Sequence, residues 1–182
     1  MPSWAAGRAI GGGVSDLISP EYTETLRQAH QDPRWGTSAH LWVDKVRELA
    51  RTYGPTILDY GCGKGVLREH IFNVTNYDPA TFPERPVSHD LVCCIDVLEH
   101  IEFEHLPAVL EDLRTLTKNA LFAVISTVPA LKNLPDGRNA HLIVEPGDWW
   151  LHHLIQGFDL VDWQETDVDA VAVLLPKVGE AT

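Results

Sequence analysis

"ILDYGCGKGVLREH", Ile57 to His70, places three glycines, Gly61, Gly63 and Gly65, two residues apart, straight after an apolar run that includes Asp59. An apolar run followed by such a turn predicts a buried strand over Thr56–Tyr60 and a short helix over Lys64–Phe72. Glycine admits backbone angles closed to other residues and leaves no side chain to hold a ligand off. The first helical turn adds free N–H groups. Two readings stay open for the turn: a tight connection with no ligand, or a cradle for a nucleotide-like molecule. Lys64 stands inside the glycine run, and no Gly-Lys-Ser/Thr ending follows, which reads against a triphosphate loop. The spacing of two and two also departs from the dinucleotide fingerprint. Asp78 lies 19 residues after Asp59, at the end of a second predicted strand, Val74–Tyr77. A carboxylate at that point can accept both hydroxyls of a ribose.

Outward from this centre the pattern alternates. Ser19 and Pro20 open a helix as cap and first residue, and "DPRWG" (Asp32 to Gly36) breaks it. Trp42, Val46, Leu49, Ala50 and Tyr53 mark a second helix, closed by Gly54 and Pro55. Asp90–Val97 and Ala120–Thr127 read as strands buried on both faces, with an amphipathic helix through Leu106, Val109, Leu110, Leu113 and Leu116 between them. A helix over Trp149–Gln156 and strands over Phe158–Gln164 and Ala170–Leu175 complete the chain. Trp149 and Trp150 are expected in the core, because Leu151, Leu154 and Ile155 continue their stripe. The alternation predicts a doubly wound α/β sheet. The last two strands are separated by only "ETDVD" and are expected to pair antiparallel.

With 182 residues, 45% of them hydrophobic, the chain suits one domain with its own core, residues 19–182, opening with helices over 19–54. Residues 1–18 read as a flexible arm around Gly11, Gly12 and Gly13. There is neither a run of about 18 apolar residues nor a basic start leading into an apolar stretch, which reads against a membrane span and a secretory signal. The cysteines, Cys62, Cys93 and Cys94, have no metal-like spacing and are expected as reduced thiols in a cytoplasmic protein, the latter two as small core residues. A formal charge of −12 disfavours non-specific nucleic-acid binding; Arg27, Arg34, Lys45, Arg47 and Arg51 are the candidates for a local basic patch.

"LDYGCGKG", "YDPA" (Tyr77–Ala80) and "HDLVCCIDVLEHI" (His89–Ile101) resemble the first, second and fourth motifs of class I S-adenosylmethionine-dependent methyltransferases. The likeness runs from about Thr56 to Leu175. "LRQAH" and "RWGTSAH" resemble the N-terminal stretch of small members found in bacteriophage and bacterial genomes. The resemblance implies a Rossmann-like sheet of seven strands in the order 3-2-1-4-5-7-6, and S-adenosylmethionine as cofactor. It implies that Gly61, Cys62 and Gly63 line the cofactor's methionine and ribose, that Asp59 lies near its amino group and that Asp78 holds the ribose. Pro79 would lie by the adenine, and Asp96 would face the sulfonium and the substrate. Only "PATFPERPVS", Pro79 to Ser88, stands where the family fits a helix, the third strand and an acidic adenine contact. A trimmed third strand is therefore expected, with backbone atoms or Phe82 reading the adenine.

Beyond the cofactor residues, "DVLEHIEFEH" and "DGRNAHLIVEPGDWW" bring Asp96, Glu99, His100 and His141 into question. The long segment Val128–Asp148 follows the fifth family strand and is expected to cover the substrate. His141 or His100 is a candidate general base, acting with Asp96 on the substrate side. Alternatively, Glu99 and His100 cap and order the next helix. Acid-x-x-Glu-His with a distant His also resembles the metal site of small-RNA terminal 2′-O-methyltransferases, which would make Asp96, Glu99, His100 and His141 ligands. That family carries Glu where this chain has Asp96, and no metal is expected. The activity implied is methyl transfer to an oxygen or nitrogen of a small molecule or modified nucleotide. The alternatives are a nucleic-acid methyltransferase and a non-catalytic cofactor-binding subunit.

Overall fold

The computed structural model describes residues 17–177. Residues 1–16 of the expected arm lie outside these, whereas Leu17 and Ile18 are buried. Six strands form one sheet: β1 (Ile57–Tyr60), β2 (Val74–Tyr77), β3 (His89–Ile95), β4 (Thr117–Ser126), β5 (Phe158–Glu165) and β6 (Asp169–Pro176). Their spatial order is β2-β1-β3-β4-β6-β5. β2, β1, β3 and β4 are parallel, and β6 runs antiparallel to both its neighbours. The helices are α1 (Pro20–Ala29), α2 (Val43–Tyr53), α3 (Val66–His70), α4 (Leu106–Leu116) and α5 (Gly147–Gly157).

Successive strand residues point to opposite faces, so each inner strand feeds two cores. Leu58, Val92, Cys94 and Leu121 pack with Leu113 of α4 and Trp150 of α5. Ile57, Leu91, Cys93 and Phe122 pack with Val46 and Leu49 of α2 and Leu67 of α3. That division is why β1 and β3 read as unbroken apolar runs. Both strand cysteines are fully buried, as expected for small core residues.

The seven-strand count is corrected to six: no helix or strand forms between Asp78 and His89. Ten residues are too few for a crossover and a strand, and Pro83 and Pro86 each remove a ladder donor. The segment instead turns back at once, Asp78 and Phe82 exchanging backbone hydrogen bonds of 3.1 and 2.9 Å. Arg85 then anchors it to α4 through Asp112, whose buried carboxylate also accepts from the Tyr60 hydroxyl at 3.0 Å. An ion pair and a proline-rich turn stand where the larger fold has a helix and a strand.

A third, smaller core lies over the C-terminal ends of the parallel strands. Ile18 and Tyr22 from the N-terminal side meet Leu134 and Ala140 from the segment after β4. The segment expected to cover the substrate therefore packs against α1.

Candidate functional site

Gly61, Gly63 and Gly65 all adopt positive φ. At all three a side chain would also collide with the protein itself, at Gly65 with the Asn76 amide. A Cβ on Gly61 would sit 2.5 Å from a methyl of Val97, and a Cβ on Gly63 would sit 3.1 Å from the backbone of Gly36. Gly36 belongs to the break after α1, which crosses directly over the loop; its carbonyl accepts the Lys64 N–H at 3.4 Å. The bare backbone thus admits another stretch of chain as well as flanking a cavity.

Asp78 is nearly buried and held by its neighbours. Oδ1 accepts the N–H groups of Ala80 and Thr81 at 2.8 and 3.0 Å, and Oδ2 accepts that of Gly63 at 3.2 Å. The Thr81 hydroxyl closes the unit by donating to the Gly63 carbonyl at 2.8 Å. Asp59 is buried at the base of the loop, and its Oδ2 has no hydrogen-bond partner among the described residues. Burial, with Asp78 adding to it, raises its carboxyl to about 7. Burial also pushes the Cys62 thiol up, so it stays protonated.

A cavity of about 530 Å³ opens from this loop. Gly61, Gly63, Asp78 and Pro79 line it, as do Asp96, Trp35, Leu131, His100 and His141. Asp59 and Cys62 are not in its wall, and neither is Phe82, whose backbone closes the Asp78 turn. β3 stops at Ile95 because Asp96 takes a φ of 52°, rare outside glycine, with its N–H on the Val124 carbonyl at 2.9 Å. Such a strained position at a cavity wall is where functional residues concentrate.

The two histidines are fixed alike. His100 Nδ1 lies 2.7 Å from the Ala140 carbonyl, and His141 Nδ1 lies 2.6 Å from that of Val128. Each Nδ1 must carry the hydrogen, which leaves Nε2 with a lone pair. The rings stand nearly perpendicular, 4.9 Å apart. Burial, with His141 beside it, lowers His100 to about 4. Glu99 is fully buried; its Oε1 accepts the Ser126 N–H at 2.9 Å, and its Oε2 has no partner. Burial, and Asp96 after it, raises this carboxyl to about 8. Neither Glu99 nor His100 caps α4, which corrects that reading; they tie the turn after β3 to the end of β4 and to the cover segment. Glu99, His100 and His141 each bring one ligand-type atom within 4.8 Å of the others, while Asp96 falls outside this group.

The roof is latched from α1. Glu102 accepts the Ser19 N–H at 2.9 Å and its hydroxyl at 2.7 Å, and the Tyr22 hydroxyl donates to the His100 carbonyl at 2.8 Å. Sequence reasoning missed α1, Trp35 and Gly36 as parts of the site. The available signal was a tryptophan and a glycine within an otherwise polar break. Trp150 lies in the core, as expected, and Trp149 packs edge-on against it at 4.9 Å, away from the cavity wall. Of the five candidate patch cations, Arg27, Arg34, Lys45 and Arg47 each face a carboxylate.

One expected result follows from Asp59. In the unliganded protein Asp59→Asn should be more stable than wild type above pH 7, by an order of a few kcal/mol at most. The folded carboxyl keeps its proton to about 7, whereas the unfolded one loses it near 4. The wild-type penalty therefore grows from about pH 4 to 7 and then levels off, and the two proteins should converge below pH 4. Melting curves across pH test this; a constant difference would show that Asp59 does not titrate there.

The sequence profile of a family described as "Methyltransferase domain" matches residues 34–166. Among solved structures, the chain resembles Burkholderia thailandensis 1,6-didemethyltoxoflavin-N1-methyltransferase with bound 1,6-didemethyltoxoflavin and S-adenosylhomocysteine, at 14% identity and a TM-score of 0.60, over 95% of this chain and 94% of that one. An O-methyltransferase family protein of the same organism is similar at 16% identity and a TM-score of 0.60, over 90% of this chain and 64% of that one. A DhpI complex with S-adenosylhomocysteine is similar at 15% identity and a TM-score of 0.57, over 85% and 96%. A search of curated protein sequences returned no match.

Proposed function

The chain belongs to the methyltransferase-domain family that matches residues 34–166, and from that premise we propose that it moves a methyl group from S-adenosylmethionine to an oxygen or nitrogen of a small molecule or modified nucleotide. The observation that carries this reading is one cavity lined both by the pinned carboxylate of Asp78 and by the paired imidazoles of His100 and His141. The residues fit the cofactor: Gly61 and Gly63 leave the wall bare beside the Asp78 carboxylate, while Asp59 lies buried beneath the loop and outside the wall. When bound, the cofactor supplies an activated methyl on a positive sulfonium. Asp78 then holds the ribose, and Asp96 lies where an acid favours that positive charge. The roof of α1 and the cover segment excludes water and fixes the acceptor in line, which is most of what a displacement requires. His141 Nε2 takes the acceptor's proton as the new bond forms. Small acceptors are favoured over bulk nucleic acid by this roof, by the paired surface cations and by the net charge of −12.

Thermal melting with S-adenosylhomocysteine tests the reading. At 100 times its Kd the ligand should add about 2.7 kcal/mol, or roughly 5–10 °C for a chain of this size. No shift with either S-adenosylhomocysteine or S-adenosylmethionine would end it. A second reading, metal-assisted transfer, is favoured by the grouping of Glu99, His100 and His141. Each histidine gives its Nδ1 hydrogen to a backbone carbonyl, as metal-bound histidines do. Calorimetric titration with Mg²⁺, Mn²⁺ and Zn²⁺ separates the two: heat that His141→Ala abolishes supports the cation, and its absence supports the metal-free base.

A further inference from the structure

Taking the reading that His141 serves the acceptor side, we propose that Asn139 is its positioning residue, holding the imidazole as the Nδ1–H tautomer with Nε2 left bare for the acceptor. Asn139 sits on a small hairpin. Gly137 N–H bonds to the Leu134 carbonyl at 2.9 Å, Leu134 N–H to that of Arg138 at 2.8 Å and Ala140 N–H to that of Lys132 at 3.1 Å. Pro135 and Asp136 form the turn, and Gly137 follows with a φ of 90°, the geometry of a three-residue hairpin loop. The turn fixes Asn139 across from Asn133.

From there the Asn139 amide makes three hydrogen bonds. Oδ1 accepts the N–H groups of Ala130 and His141, both at 3.0 Å, and Nδ2 donates to the Ala130 carbonyl at 2.9 Å. Ala130 lies two residues from Val128, whose carbonyl takes the Nδ1 hydrogen of His141 at 2.6 Å. One amide therefore grips both the backbone of the histidine and the strand of chain that carries the histidine's acceptor. Free neutral histidine favours its hydrogen on Nε2, so the opposite tautomer persists only while the Val128 carbonyl stays in register with the ring. A turn-closing role alone would need neither the bond to His141 nor the pair to Ala130.

Long-range ¹H–¹⁵N spectra of the histidine side chains at pH 8.5 test this, with His141 assigned by its loss in H141Q. Wild-type His141 should show the Nδ1–H pattern. N139A should shift it to a mixture dominated by Nε2–H, with S-adenosylhomocysteine affinity within twofold of wild type. N139D keeps the oxygen that accepts both N–H groups but sets a carboxylate oxygen against the Ala130 carbonyl in place of the donor, so it should also raise the Nε2–H share, which decides the matter if N139A does not fold. An unchanged tautomer in the folded variant, or an Nε2–H signal in wild type, would overturn the proposal. The spectra need neither cofactor nor acceptor, so a failure of the functional reading would appear separately, as absent S-adenosylhomocysteine binding.

Discussion

Asp78→Ala is expected to weaken S-adenosylhomocysteine binding by about 10²-fold or more, read by titration calorimetry on folded protein. An ionised carboxylate offers about four lone-pair positions. Three are taken: Ala80 and Thr81 share Oδ1, and Gly63 uses one position on Oδ2. The open position on Oδ2 can take a ribose hydroxyl with no change to the three bonds already made. A charge-assisted bond contributes about 1.5–3 kcal/mol, or roughly 10- to 150-fold. The alanine also releases the Gly63 N–H and the turn at Ala80 and Thr81, so the loop loses its shape along with its acceptor. Asp78→Asn separates these effects: its remaining oxygen can serve the turn, while an amide nitrogen faces Gly63 and the ligand. Unchanged affinity in both variants would remove the cofactor from Asp78. Substituting Gly63 is a poorer probe, because a Cβ there meets the Gly36 backbone at 3.1 Å with φ at 54° before any ligand arrives.

The parts of the fold written in short windows were the legible ones. β1, β3 and β4 announce themselves because alternate residues such as Leu91 and Val92 each have a core to enter. The loss of the third strand was visible in ten residues with three prolines, even though the family pattern called for seven strands. The roof was not visible, because its cohesion comes from pairs more than 100 residues apart, such as Tyr22 with Leu134. Gly36 looked like any helix breaker; that its backbone crosses Gly63 is a fact of tertiary packing. Within the site, the resemblance to a metal-using family offered four ligand-type residues, Asp96, Glu99, His100 and His141. Asp96 leaves that set because the chain turns through a left-handed residue with its N–H committed to Val124, and a sequence window cannot register that.

His141→Ala should separate cofactor binding from turnover. Asp78 and the glycine loop are untouched, so S-adenosylhomocysteine affinity should stay within about twofold, under ~0.5 kcal/mol. Turnover, followed as S-adenosylhomocysteine released with an acceptor found by screening, should fall roughly 10²-fold or more if Nε2 takes the acceptor's proton. His100 cannot substitute well, because burial holds it near 4 and makes it a weak base at neutral pH. Glu99 is no better placed: raised to about 8, it keeps its own proton in the range where the reaction would run. Among these three neighbours that leaves His141, whose Nδ1 is committed to the Val128 carbonyl and whose ring lines the cavity. Turnover unchanged in His141→Ala would make the imidazole a wall rather than a base. A loss of cofactor affinity as large as the loss of turnover would make it a cofactor contact, and the assignment of Asp78 to the cofactor and His141 to the acceptor would fail with it.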